Sequence, residues 1–155
     1  QASDITHRSD SLHLLADALN TLGYRAMQNG QVLLYEALNR YETNLLNTQE
    51  DAANFLIEHA LVNNGVRLLC DLFHMNIEET DIASSISDNS DMLGHVHFAD
   101  SNRKPIGSGH TNMRPISECL KKINYQGYIS AEAFAWPDPL TAAQQTIDSF
   151  RKFFN

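Results

Sequence analysis

Four short apolar runs, each ending in a polar residue that a buried strand does not readily tolerate, constrain this chain more than any other feature. The residues are Glu36, Asp71, His97 and Glu132, spaced 35, 26 and 35 apart. That is about the length of one strand, its crossover helix and two connections. One such residue per unit implies parallel strands that deliver four side chains to one place. Three carboxylates and an imidazole meeting there would form a divalent-metal site of mainly oxygen character.

The stretches between these residues carry the matching helical periodicity. Residues 9–28 place Leu12, Leu15, Leu19 and Leu22 on one face, with Ser9 or Asp10 available as a cap and Asn29-Gly30 as the stop. Residues 32–37 read as a strand covered on both faces, because the apolar run is continuous rather than alternating. A second helix opens near Thr48, carries Ala52, Phe55, Leu56 and Ala60, and closes at Asn63-Asn64-Gly65. Residues 66–71 give the next strand, 79–87 a weaker helix, and 92–98 the third strand. The Gly107-Ser108-Gly109 loop precedes a helix over 115–123, residues 127–133 form a fourth strand, and Asp138-Pro139 opens a last helix ending in Phe150, Phe153 and Phe154. The alternation predicts an α/β fold of four parallel βα units with a leading helix, joined by right-handed crossovers, and residues 1–155 read as one continuous unit.

In such folds functional side chains gather at the carboxyl ends of the strands, where the βα loops open. All four candidates lie there. A carboxylate in a buried strand is costly unless it is paired, protonated or bound to a cation, so Glu36, Asp71 and Glu132 need an explanation that surface acids do not. The competing explanation is a salt-bridge network with Arg40 or Arg103. His95 shares the strand parity of His97 but sits farther from the loop end, which suits a core or supporting histidine. His74, three residues after Asp71, is expected in the following loop within reach of a substrate hydroxyl. His7, His13, His59 and His110 read as surface or helix residues.

Composition removes several alternatives. The net charge is −8, and no window is dense in Lys or Arg, so a nucleic-acid backbone is not an expected partner. No apolar run approaches membrane-spanning length, and Gln1-Ala2-Ser3-Asp4 lacks the basic-then-apolar pattern of a signal peptide. A cytoplasmic location without membrane contact is therefore expected. Cys70 and Cys119 suit reduced, packed thiols.

Three strings go further than pattern. Residues 35–42 (YEALNRYE), 70–79 (CDLFHMNIEE) and 97–103 (HFADSNR) resemble the sugar isomerase/epimerase branch of the xylose isomerase-like barrels, most nearly the ketose 3-epimerases, and residues 131–134 (AEAF) are similar to that family's last strand. The resemblance implies strands five to eight of a (β/α)8 TIM barrel, hence a carboxyl-terminal half-barrel. Open edges would then be covered by another copy of the chain, as a homo-oligomer, or by a complementing amino-terminal half. It implies Glu36, Asp71, His97 and Glu132 as metal ligands, Mn2+ foremost with Co2+ or Mg2+ as alternatives. It further implies Glu36 and Glu132 as the acid/base pair, and Glu42, His74 and Arg103 as contacts to the oxygens of a small sugar substrate. Ala37 and Ala133 stand where many relatives carry proline, a change of loop stiffness more than of chemistry.

The activity so implied is epimerisation of a ketose at C3 through a cis-enediolate, one glutamate removing the proton and the other returning it on the opposite face. Two facing bases are needed because one alone tends to return the proton to the face it left. The same residues leave room for a sugar-acid or inositol-derivative isomerase or dehydratase, or for a non-catalytic half-barrel. An abasic-site endonuclease would need more ligands and a cationic surface.

Overall fold

The computed structural model describes residues 7–155, so the segment inspected for a leader, residues 1–4, lies outside the described part. The order is α1 (Arg8–Gln28), β1 (Leu33–Glu36), α2 (Gln49–Glu58), β2 (Val66–Asp71), α3 (Leu72–Glu78), α4 (Ile82–Asp88), β3 (Leu93–His97), α5 (Met113–Lys122), β4 (Ile129–Ser130) and α6 (Pro139–Phe154). Single 3-10 turns occupy Leu61–Asn64 and Ser90–Met92. The strands form one parallel sheet in the order β1-β2-β3-β4, which is the expected α/β arrangement.

β2 is the most deeply buried strand, since it is flanked on both edges and covered by helices. One apolar cluster joins Ala16 and Leu19 of α1 to Phe55 and Leu56 of α2 and Val66 and Leu68 of β2. A second gathers Cys70, Met75, Ile86, Val96, Phe98, Ile116 and Leu120, with Phe150 and Phe154 of α6 packed against it. Cys70 and Cys119 are free thiols, the first buried and the second half-buried, as their apolar neighbours imply.

Register explains how the strand tips come together. Asp71 pairs with His97 across β2 and β3, Glu36 pairs with Leu69, and Ser130 pairs with His97. Side chains alternate faces with a period of two, so Glu36, Leu69, Asp71, His95, His97 and Ser130 share one face of the sheet, and Glu132 continues that parity. A shift between Leu68 and Leu69 leaves Gly94 as an extra residue of β3. That bulge sends Leu93 to the helix-covered core while His95 and His97 face the other way. Only glycine fits at the bulge, because a Cβ there would lie 2.6 Å from Cβ of Arg67 and 2.7 Å from Cδ2 of Leu34.

Several boundaries differ from the sequence reading, each for a local reason. α1 begins at Arg8, so Ser9 and Asp10 fall inside its first turn and no side chain caps it. Its entry is held instead by the Arg8 guanidinium on the carbonyls of Asn44 and Leu45. The weak helix over 79–87 is α4, which starts after Asp81, capping it through Ser84 N–H, and a further helix, α3, precedes it directly after Asp71, whose carboxylate caps it by accepting from Phe73 N–H. The fourth strand shrinks from seven residues to Ile129–Ser130, because among the described residues its ladder partner is β3 alone. α5 begins two residues early, capped by Asn112. Among the described residues no helix is long and apolar enough to cross a membrane.

Candidate metal and sugar site

Glu36, Asp71 and His97 are the last residues of β1, β2 and β3, and Glu132 lies two residues past β4. One ligand atom from each of the four lies within 4.8 Å of every other. The focus is Nδ1 of His97, which sits 2.8 Å from Glu132 Oε2, 3.1 Å from Asp71 Oδ2 and 3.9 Å from Glu36 Oε1. Asp71 is fully buried and divides its oxygens, Oδ1 capping α3 and Oδ2 facing His97.

Three carboxylates around one imidazole nitrogen distort the acidity of each group. Burial, together with the charges of Asp71 and Glu132, pushes Glu36 up from 4.5 to about 7. Burial also pushes Asp71 upward, but its hydrogen bond to His97 and the charge of Arg103 outweigh this and leave it below the usual carboxylate range. The hydrogen bond to Asp71 and the surrounding carboxylates raise His97 against the opposing effect of burial. Perturbed groups packed into one cluster are typical of functional sites.

The fit to a divalent cation is tested by Glu36. Its Oε1 is buried and makes no hydrogen bond, although His74 Nε2 stands 3.4 Å away. A buried carboxylate oxygen left in that state costs free energy that a cation would offset. The donor set of three carboxylates and one imidazole also suits Mg2+ or Mn2+ better than the nitrogen- and sulfur-rich tetrahedral sites preferred by Zn2+. These residues therefore fit a divalent metal.

The alternative of a salt-bridge network is realised in part, through Arg103. Arg103 reaches Glu132 Oε1 at 3.0 Å and Asp71 Oδ2 at 3.6 Å, while Arg40 turns away to pair with Glu78 at 2.8 Å. Neither satisfies Glu36 Oε1. Arg103 sits in a tight turn at φ 55° with its Cζ 4.9 Å from the centre of the Phe73 ring.

The three residues matched to sugar contacts surround this cluster. Glu42 is half exposed, and Arg103 is mostly covered. His74 is not in a loop but in α3, 2% exposed, because the cap at Asp71 starts that helix at once. Burial holds its imidazole below the ordinary histidine value. His95 stays out of the cluster: its ring meets that of His97 edge-on at 5.3 Å, and its Nε2 lies 2.7 Å from Ser130 Oγ. His110 is exposed.

Two buried residues escaped the sequence reading. Asn39 touches both His74 and Glu42. Asp100 accepts hydrogen bonds from the backbone N–H groups of Ser101, Gly107, Gly109 and Thr111, closing the loop that carries Arg103. These bonds outweigh the effect of burial and hold its carboxyl below the usual range. The signal was present in the Gly-rich segment: a Cβ at Gly109 would lie 2.6 Å from Asp100 Oδ1, so glycine is what lets the backbone approach the carboxylate.

Comparison with known proteins agrees with this geometry. The family model of the xylose isomerase-like TIM barrel matches residues 2–153. A 3-dehydro-D-guloside 4-epimerase of Escherichia coli strain K12 is 40% identical over 135 residues, covering 86% of this chain and 51% of the relative. A D-psicose 3-epimerase of Enterocloster bolteae is 41% identical over 116 residues, covering 75% and 38%. Among solved structures, a 3-keto-D-glucoside 4-epimerase from E. coli, in its apo form, superposes with a TM-score of 0.89 at 34% identity, covering 97% of this chain and 57% of that one. A D-allulose 3-epimerase from Methylomonas sp. in complex with D-allulose gives 0.85 at 28% identity, covering 99% and 57%. The chain thus spans about half the length of the curated relatives it matches. The strand order, the shared face of the four strand-tip residues and these matches together establish that the chain belongs to the xylose isomerase-like TIM barrel family.

Proposed function

We propose that this chain carries the metal-binding and proton-transfer residues of a sugar epimerase acting at a hydroxylated carbon next to a ketone. The observation that supports this most is the convergence of Glu36, Asp71, His97 and Glu132 within 4.8 Å of one another, with a buried Glu36 oxygen lacking a hydrogen bond. These four would hold a divalent cation, Mn2+ by preference. When bound, the cation supplies charge stabilisation for oxygens of the substrate that become negative as the neighbouring carbon loses its proton.

The remaining chemistry belongs to the side chains. Glu36 ends β1 and Glu132 follows β4, the strands at opposite edges of the sheet, so they reach a substrate from different sides, one removing the proton and the other supplying its replacement. Their roles exchange for the reverse reaction. In the metal-free site burial and the neighbouring carboxylates raise Glu36 to about 7; a bound cation lowers it again, so that the carboxylate is the form available to accept a proton at neutral pH. Glu42, His74 and Arg103 hold the sugar's other oxygens, and Arg103 keeps positive charge beside Glu132.

The relatives support two choices of carbon. D-Psicose 3-epimerases point to C3 of a 2-ketose, whereas the E. coli relatives are 4-epimerases of keto-glycosides. In both cases the reacting carbon adjoins a ketone, so the chemistry is shared. We favour the ketose, and the 4-epimerase reading stands second on the 86% coverage of this chain by its relative.

The test is incubation of the chain with Mn2+ in D2O and a panel of free ketoses and a methyl 3-keto-glucoside, read by NMR. Deuterium at C3 of a ketose with a new epimer is the expected result. Deuterium at C4 of the glycoside selects the second reading. Loss of water replaces both with a dehydratase, and sugar binding without exchange leaves a non-catalytic half-barrel.

A further inference from the structure

Glu132 stands two residues beyond β4 with its side chain half exposed, so neither the sheet ladder nor burial fixes its carboxylate. Of residues 131–137 all but Ala133 are exposed. The last ladder bond before them runs from Phe98 N–H to Ser130 C=O, at 2.7 Å. Among the described residues, a single backbone hydrogen bond then ties 131–137 to another part of the chain: Phe134 N–H donates to Arg103 C=O at 2.7 Å. Yet a group that hands a proton to one face of a substrate has to be held to a fraction of an ångström.

The loop on the other side of that bond is well anchored. Asp100 N–H donates to Lys104 C=O at 2.9 Å, Arg103 N–H donates to Asp100 C=O at 2.8 Å, and Lys104 N–H donates to Asn102 Oδ1 at 3.1 Å. From this frame three contacts reach the segment after β4 at every second residue, the repeat of an extended chain. The Arg103 guanidinium meets Glu132 Oε1 at 3.0 Å, the Arg103 carbonyl takes the Phe134 N–H, and the Lys104 ammonium lies 3.7 Å from the centre of the Trp136 ring. An ammonium over an aromatic face is attracted by the ring's negative surface, and the indole offers the strongest such attraction among side chains. We propose that Lys104 and Trp136 are positioning residues: their stack pins the far end of residues 132–136 to the Asp100 loop and thereby sets where the Glu132 carboxylate stands. Arg103 touches Glu132 itself, whereas Lys104 and Trp136 act on it through the backbone between. The stack stands by itself; its use, in aiming a proton-transferring carboxylate, rests on the epimerase reading.

Trp136 is the single tryptophan of the chain, so its fluorescence reports on the stack directly. The test uses the full chain without metal or sugar. It measures acrylamide quenching of Trp136 together with the carboxyl 13C signal of Glu132, identified by its loss in Glu132→Gln. Lys104→Ala is expected to raise the quenching constant and to move the Glu132 signal. Lys104→Arg, which keeps a cation over the ring, is expected to leave both as in the parent. Unchanged quenching in Lys104→Ala overturns the stack, and changed quenching with an unmoved Glu132 signal overturns the positioning role. Trp136→Leu removes the other half of the stack and is expected to move the Glu132 signal as well; an unmoved signal there overturns the proposal even if Lys104→Ala fails to fold. Since neither metal nor sugar is present, failure here is distinct from failure of the epimerase reading. In a chain shown to be active, Lys104→Ala is expected to lower kcat by about 2- to 30-fold, the span that loss of such a contact covers, with KM nearly unchanged and kcat restored by Lys104→Arg. A raised KM at unchanged kcat would make Lys104 a substrate contact and overturn the proposal.

Discussion

At the residue scale, two carboxylates with opposite shifts give opposite pH behaviour. Asp100 is 1% exposed and its oxygens accept from four backbone N–H groups. Asp100→Asn keeps the shape but turns an amide donor onto some of those donors, at a cost on the order of 3 kcal/mol. Urea unfolding of both chains measures it. Because the folded carboxyl lies below its ordinary value, the advantage of Asp100 is complete above the unfolded pKa of about 3.9 and fades as pH falls through the lowered value. Glu36 runs the other way: its pKa rises from 4.5 to about 7, so its contribution is fullest below 4.5 and is lost as pH rises toward 7. In metal-free buffer, melting temperature should show this decline, and Glu36→Gln should remove it. At pH 7.5, Mn2+ at 100 times its dissociation constant should raise Tm by roughly 5–10 °C. Glu36→Gln should weaken Mn2+ binding by more than the roughly 10–100-fold typical of outer partners. An unchanged Mn2+ titration by calorimetry would remove Glu36 from the ligand set.

At the scale of elements, caps decide where helices begin, and caps were only partly readable. Thr48 accepts from Asp51 N–H and starts α2 where its sequence pattern placed it. Thr48→Ala should destabilise the chain by about 1 kcal/mol without altering the sheet, seen as a lower urea midpoint with an unchanged m-value. Asp71 is different, since it serves as strand tip, candidate ligand and cap of α3 at once. The sequence of α3, short and bearing polar residues, lacks a clear apolar period, so the cap could not be inferred from local pattern. β4 was overestimated for a related reason: apolar residues in 127–133 look like a strand, but ladder hydrogen bonds require a neighbour, and among the described residues only β3 supplies one.

On the scale of the whole sheet, two edges are open among the described residues. β1 and β4 each have one partner, and beside β4 an apolar cavity of about 490 Å³ is lined by Phe98, Ile129, Phe134, Ile147 and Phe150. Phe134 of this lining, and Trp136 two residues on, are more than half exposed. Open parallel edges flanked by apolar surface favour pairing with further strands. The expected outcome is self-association at micromolar concentration, measured by light scattering against concentration. A monodisperse folded monomer throughout would mean that the edges are protected as they stand.

What the sequence by itself determined was the order of helices and parallel strands, and the four polar residues at the strand tips. Continuous apolar runs and 3.6-residue periodicity reflect short-range geometry, and strand parity then carries Glu36, Asp71, His97 and Glu132 to one face. Only the tertiary structure decided that Glu36 Oε1 is buried without a hydrogen bond, that Arg103 rather than Arg40 borders the cluster, and that Asn39 clasps His74. Asn39 and His74 are 35 residues apart. Contacts of that kind depend on how whole units pack and on where each polar atom can still find a partner, and no local pattern records either.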